Sequence, residues 1–154
     1  KLNCLLNLKK LALNKSQHIT PALKHLSGSR NLESLDLTDC GIGAEDCGLI
    51  SNLPSLNSLR LDQNQLSTAD LRRLSKLPRL AELSLVDVKS KDFITVKDLK
   101  QFPALRVLYV ERGRFKKDDL AHIYERCPNL RVQFYAPATT DYSQGMIFDT
   151  PGSF

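Results

Sequence analysis

Residues 31–43, NLESLDLTDCGIG, place leucines three and then two residues apart, at Leu32, Leu35 and Leu37. This spacing fits neither an α-helix, whose apolar period is 3.6 residues, nor a β-strand in which every second residue is apolar. The same phrase recurs as NLKKLALNKS, SLNSLRLDQN, RLAELSLVDV, ALRVLYVERG and NLRVQFYAPA. Its central positions are Leu11, Leu35, Leu59, Leu83, Leu108 and Gln133, at steps of 24, 24, 24, 25 and 25 residues. A phrase that returns at a nearly fixed period indicates stacked structural units.

The phrase itself predicts a short strand. In residues 56–62, LNSLRLD, alternation turns Leu59 and Leu61 inward and Arg60 and Asp62 outward, while Leu56 fills the corner where the chain enters the strand. The segments between phrases have apolar residues every three positions, which favours short α or 3₁₀ helices with one buried stripe. Ser67 is a plausible N-cap of one such helix.

The phrase matches the pattern LxxLxLxxN/C, and the chain resembles the leucine-rich repeat family over residues 8–136. The resemblance implies an α/β fold: a right-handed horseshoe solenoid of about six repeats, with a parallel concave sheet and short α or 3₁₀ helices on the convex side. The stretch DLTDCGIGAEDCG is similar to ribonuclease-inhibitor-like repeats, from which we take only the horseshoe architecture. At the ninth position of the phrase the family prefers Asn or Cys, whose side chains satisfy backbone groups in the turn. The row of these side chains along the repeats is called the turn ladder here. Asn64 and Cys40 match but Val88 and Gly113 do not, so we expect an irregular turn ladder in the later repeats.

We expect residues 1–136 to form the repeat domain. The first residues resemble the convex helix of a repeat whose strand is missing, so we expect the chain to be part of a longer protein, or to begin with an unusual cap. Residues 137–154, PATTDYSQGMIFDTPGSF, have no repeat pattern and are either a capping segment or a flexible tail. The apolar run 146–148 favours partial packing over the last repeat.

The sequence offers little for catalysis or metal binding. It has no Gly-rich phosphate loop, no HExxH and no GxSxG, and its three histidines lie in separate repeats, so we expect neither an enzyme nor a cofactor. Its four cysteines lack zinc spacing and read as buried thiols of a reducing compartment, which predicts an intracellular and cytoplasmic location. The sequon Asn14-Lys15-Ser16 leaves an extracellular location open. No apolar run is long enough to span a membrane.

Outward positions of the predicted strands give a candidate concave binding face, acidic in its middle and aromatic towards the C-terminus. Such a face suits a protein partner with basic residues flanking an apolar anchor. A solvated strand face without a partner, or a tail folded over the aromatic residues, is the alternative. The candidate residues are Asp36, Asp39, Arg60, Asp62, Glu82, Asp87, Val107, Tyr109, Glu111, Arg112, Val132 and Phe134.

Positive charge collects instead in the return segments and predicts a basic convex ridge. Such a ridge could contact nucleic acid or an anionic surface, but it lacks interleaved aromatic residues for base stacking, so only non-specific contact is expected. A third hypothesis is a spacer within a larger leucine-rich repeat receptor or scaffold. The ridge residues are Arg72, Arg73, Lys76, Lys97, Lys100, Lys116 and Lys117.

Overall fold

The computed structural model describes residues 7–90, 94–111, 114–115 and 117–135. Strands and short helices alternate strictly along this part of the chain, as one strand and one helix per repeat. The strands are β1 (Lys10–Ala12), β2 (Ser34–Asp36), β3 (Ser58–Arg60), β4 (Glu82–Ser84), β5 (Val107–Glu111) and β6 (Arg131–Tyr135). The helices are α1 (Thr20–Leu26), α2 (Ala44–Ile50), α3 (Thr68–Leu74), α4 (Val96–Leu99) and α5 (Lys117–Arg126). The segments 1–6 and 137–154, on which two of the expectations rest, lie outside the described residues.

The six strands pair in parallel in chain order, which is the sheet of an α/β solenoid. The leucine phrase sets the register from β1 to β5, because each pair aligns the central leucines: Leu11 with Leu35, Leu35 with Leu59, Leu59 with Leu83 and Leu83 with Leu108. These leucines after the first are at most 1% exposed, and they pack against the buried stripes of the helices. Burying each one contributes about 1.5–3 kcal/mol.

The register predicted for β6 is wrong by one residue. Leu108 pairs with Val132 rather than with Gln133, so the last step is 24 residues and not 25. Val132 and Phe134, predicted to face outward, are instead 1% and 6% exposed. The predicted register would have buried Gln133 and Tyr135 and exposed two apolar side chains. Because a slip of one residue exchanges the two faces of a strand, hydrophobic burial selects the observed pairing.

Asn64 holds the turn that follows β3. Its side-chain oxygen accepts from the backbone N–H groups of Cys40 (3.1 Å) and Ile42 (3.0 Å), and its Nδ2 donates to the carbonyl oxygens of Leu37, Leu61 and Asp62 at 2.9–3.1 Å. One buried side chain therefore satisfies five backbone groups of two repeats.

The equivalent positions in other repeats solve the same problem differently. Cys40 donates its thiol to the carbonyl oxygen of Leu13 at 2.9 Å. Val88 has no polar side chain, and its carbonyl oxygen instead accepts from the guanidinium of Arg114 at 3.2 Å. The ladder thus changes its chemistry along the chain, as the sequence predicted. The residue before each ladder position adopts the left-handed conformation; these residues are Lys15, Asp39, Gln63 and Asp87, with φ of 55–60°.

The predicted cap of α3 is confirmed. Ser67 Oγ accepts from the backbone N–H of Asp70 at 3.3 Å, and Asp70 Oδ2 accepts from the backbone N–H of Ser67 at 2.9 Å. Thr95 and Asp98 repeat this reciprocal arrangement at the start of α4. Such a capping box satisfies backbone donors that a helix N-terminus leaves free.

Candidate protein-binding face

The outward side chains of the sheet form columns that run across the strands. The central column follows directly from the strand register, and a second column is formed by the outward residues two positions further along the chain. The central column is Ala12, Asp36, Arg60, Ser84, Tyr109 and Gln133. Because each strand contributes one side chain per column, neighbours across the columns are close enough to interact.

The middle of this face is an ordered network of charges. The Arg60 guanidinium lies 3.5 Å from Asp36 Oδ2 and 3.6 Å from Asp62 Oδ2, bridging the two carboxylates. Asp62 also accepts from Ser84 Oγ at 2.6 Å and from the backbone N–H of Val86 at 2.9 Å. The two carboxylates are 23% and 17% exposed. They are therefore held in place and partly neutralised, yet still reach the surface.

Burial is the main influence on Asp62. It raises the pKa of this carboxyl above its ordinary value, although the hydrogen bonds from Ser84 and Val86 and the charge of Arg60 act in the opposite direction. A cationic group brought to this face would stabilise the ionised form and lower that pKa.

The C-terminal end of the face is aromatic. The rings of Tyr109 and Tyr135 lie with centroids 6.0 Å apart at an interplanar angle of 53°, a tilted arrangement typical of aromatic pairs. Burial raises the pKa of the Tyr109 hydroxyl, and the charge of Glu82 raises it further. Gln133, paired with Tyr109 in the sheet, is a buried polar residue whose Oε1 has no hydrogen-bond partner among the described residues.

The remaining candidates lie around these two centres. Glu111 accepts from the backbone N–H of Asp87 and from Arg114, both at 3.1 Å. Glu82 accepts from Ser58 Oγ at 3.3 Å, and Val107 and Asp39 are half-buried. Arg112 lies outside the described residues.

The structure thus brings Asp36, Arg60 and Asp62 together as one network. It removes Val132 and Phe134 from the surface; Tyr135, half-buried, and Gln133, buried at 9% exposure, take the outward positions instead. The sequence reasoning missed these two replacements, although the alternation of apolar residues within residues 131–135, RVQFY, carried the signal.

The convex ridge is less free than the sequence suggested. Arg72 Nε lies 2.9 Å from Asp98 Oδ1, and Arg73 lies 3.0 Å from Asp70 Oδ1, so both guanidinium groups are paired. Lys76, Lys97 and Lys100 are exposed, while Lys116 and the side chain of Lys117 lie outside the described residues.

The described part of the chain offers few other candidate sites. No group of three or more His, Cys, Asp or Glu side chains within the described ranges could hold a metal ion. None of the helices that the structure describes is long and apolar enough to cross a membrane. An open groove of about 620 Å³ lies where the strands begin, and its lining mixes cations such as Lys10 and Arg79 with Glu33 and Glu82.

Each turn of the fold consists of one strand and one helix, and the buried Asn64 joins two successive turns. These features define a repeat solenoid built on a leucine phrase. Residues 30–87 match the model of the leucine rich repeat family. A search of the curated proteins finds no match.

Two solved structures share this fold. The tropomodulin C-terminal domain of Caenorhabditis elegans superimposes with a TM-score of 0.63 and 16% identity, over 83% of this chain and 89% of that one. A structure described as leiomodin-1 actin-binding site 2 gives a TM-score of 0.59 and 16% identity, over 81% of this chain and 86% of that one. At this identity the likeness shows the architecture alone.

Proposed function

We propose that this chain is a non-catalytic interaction module that binds a protein partner through its concave face. The observation that carries the proposal is the pairing of Tyr109 and Tyr135 beside the fixed network of Asp36, Arg60 and Asp62. Partly exposed aromatic residues beside ordered charges are typical of the residues that dominate protein interfaces.

The rigidity of the face supports this role. The carboxylates of Asp36 and Asp62 are already held by hydrogen bonds, so docking costs them little conformational entropy. The partner we propose has an apolar anchor that packs against the tyrosines, and basic residues that meet the two carboxylates. Complementary charge of this kind favours association rate and specificity.

Actin is the first partner to test, because one of the similar solved structures is described as an actin-binding site. We infer an intracellular module, since the described cysteines Cys40, Cys47 and Cys127 are free thiols. Burial is the main cause that raises the pKa of Cys47 to about 12, so this thiol is unreactive. We also propose that residues 1–136 act as the repeat domain and that 137–154 cap it or extend from it.

The experiment is co-sedimentation and equilibrium binding with purified actin, followed by capture from cell lysate, using wild type and a Tyr109→Ala/Tyr135→Ala variant. We expect the double variant to lose at least about tenfold in affinity for any partner that uses this face, because aromatic anchors dominate binding energy. Tyr124→Ala is the matched control, since it removes a tyrosine from α5, on the other side of the sheet. Equal binding by the double variant and wild type would overturn the proposal.

A further inference from the structure

A groove lies on the convex side of the solenoid, between α4 and α5. It is a groove of about 410 Å³ lined by Val96, Lys97, Lys100, His122 and Arg126. Lys97 lies in α4 and Lys100, three residues on, is the C-cap of that helix, while His122 and Arg126 are four residues apart on α5. These spacings place each pair on one face of its helix, so two basic faces meet in the groove.

The charge of this groove is unbalanced. Among the residues that the structure describes, no carboxylate lines it, although α5 carries Asp118, Asp119 and Glu125. The buried carboxylate of Asp98 on α4 is engaged with Thr95 and Arg72 and is not part of the lining.

Six of the described cations have a carboxylate within 4.0 Å, whereas the groove cations share the unpaired state of others such as Lys76 and Arg79. Among the described residues, Lys97, Lys100 and Arg126 have no carboxylate within 4.0 Å. The cations that do have one are Lys9, Lys24, Arg60, Arg72, Arg73 and Arg114.

The ring of His122 is oriented by its own helix. Its Nδ1 lies 2.7 Å from the backbone carbonyl oxygen of Asp118, and because a carbonyl oxygen only accepts, Nδ1 carries the hydrogen. The ring is therefore fixed with Nε2 as its remaining polar atom.

We propose that this groove binds a small polyanion carrying two or more phosphate groups. Its volume lies within the range of small-molecule sites, about 300–1,000 Å³. The planar guanidinium of Arg126 can hold one phosphate through two hydrogen bonds, and the two lysines add point charges for a second. The described lining residues include no aromatic ring that could stack a nucleic-acid base, so the groove is proposed to recognise the phosphates rather than a base.

Two ligands share this chemistry: a soluble polyphosphate, such as an inositol phosphate, and the phosphorylated headgroup of a lipid. The probes are therefore inorganic pyrophosphate and inositol hexakisphosphate in solution, and phosphatidylcholine vesicles with and without phosphatidylinositol bisphosphate. Solution binding is measured by calorimetry and vesicle binding by co-sedimentation.

The test variant is Lys97→Glu/Lys100→Glu, and Lys76→Glu/Arg79→Glu is the matched control. Both reverse two exposed cations in successive return segments and change the net charge equally. We expect the groove variant to lose at least about tenfold in affinity and the control less than about threefold, because close charges outweigh distant, screened ones. Arg126→Ala, a milder change, should also weaken binding if the groove variant does not fold.

The outcomes distinguish a soluble polyphosphate from a lipid headgroup, and both from a groove that binds neither. Binding of the soluble probes without vesicle binding supports a soluble ligand, and groove-dependent binding of the phosphoinositide vesicles alone supports a headgroup. Equal losses in the groove variant and its control would mean general attraction to a basic ridge and would overturn the site, as would no binding of any probe. The concave tyrosine variant should bind all the probes normally.

Discussion

The first four strands and the last two build the concave face in different ways. β1 to β4 have three residues each and repeat every 24 residues, and their outward charges pair with one another, as Arg60 does with Asp36 and Asp62. β5 and β6 have five residues each, and their outward residues include the tyrosine pair. The difference teaches that the charges of a polar face can satisfy one another, whereas the tyrosine pair keeps partly exposed aromatic surface.

The most severe test of this comparison is the register of β6. Phe134→Ala should lower the free energy of unfolding by about 3–5 kcal/mol, because it removes a buried ring and leaves a cavity. Urea unfolding followed by circular dichroism measures this loss.

Tyr135→Ala is the control for that measurement, since its side chain is the outward neighbour of Phe134 in the observed register. We expect it to cost less than about 1 kcal/mol, as most partly exposed substitutions do. The register that was predicted from the sequence would make Tyr135→Ala the more destabilising of the two changes. A larger loss of unfolding free energy at Tyr135 than at Phe134 would therefore contradict the observed pairing.

The next test concerns the turn ladder, which is intact at Asn64 and altered at Val88. Asn64→Ala should cost about 2–4 kcal/mol, because it leaves the N–H groups of Cys40 and Ile42 and several carbonyl groups without partners in a buried turn. Thermal and urea unfolding measure the loss. Asn57→Ala makes the same chemical change at an exposed residue with a single weak contact of 3.4 Å, and should cost less than about 0.5 kcal/mol. A small loss at Asn64 would show that the ladder does not hold the repeats together.

The sequence predicted most of the fold because the fold repeats. Leu35, Leu59 and Leu83 occupy equivalent positions, so five strands could be aligned without any structure. Ser67 was recognisable as a cap because capping depends on residues only three positions apart.

The features that the sequence did not predict depend on a change of spacing within the last repeat and on contacts between residues that are far apart in the chain. In the earlier repeats the corner leucine stands three positions before the strand centre, but Leu130 stands only two positions before Val132. That change moved β6 by one position. The pairing of Arg72 with Asp98 joins residues 26 positions apart. The groove between α4 and α5 depends on how two unequal helices pack, which no single repeat encodes. The binding role of the concave residues stays a prediction.

One feature of the repeats crosses the boundary between the two regions: the capping box of α3 recurs in α4, where the turn ladder has already changed. Asp98 Oδ2 accepts from the backbone N–H of Thr95 at 3.1 Å and from its hydroxyl at 2.6 Å, and Oδ1 accepts from Arg72 at 2.9 Å. Asp98→Asn should therefore lower the free energy of unfolding by about 1–2 kcal/mol at pH 7, the size of a lost cap. Asp118→Asn, at an exposed first-turn residue of α5, should cost less than about 0.5 kcal/mol.

The pH dependence of that loss tests its cause. Burial alone would raise the pKa of the Asp98 carboxyl, but the hydrogen bonds from Thr95 and Arg72 outweigh burial and lower this pKa below its ordinary value. A lowered pKa in the folded state stabilises the fold at every pH above the unfolded value, about 3.9, and this contribution is lost as the pH falls through the folded value. Urea unfolding from pH 7 to pH 2 should accordingly show the full difference between wild type and Asp98→Asn down to about pH 5, with the two curves converging below pH 4 as the wild-type carboxylate is protonated. A difference that persists unchanged at the lowest pH would mean that Asp98 stabilises α4 through packing and not through its charge.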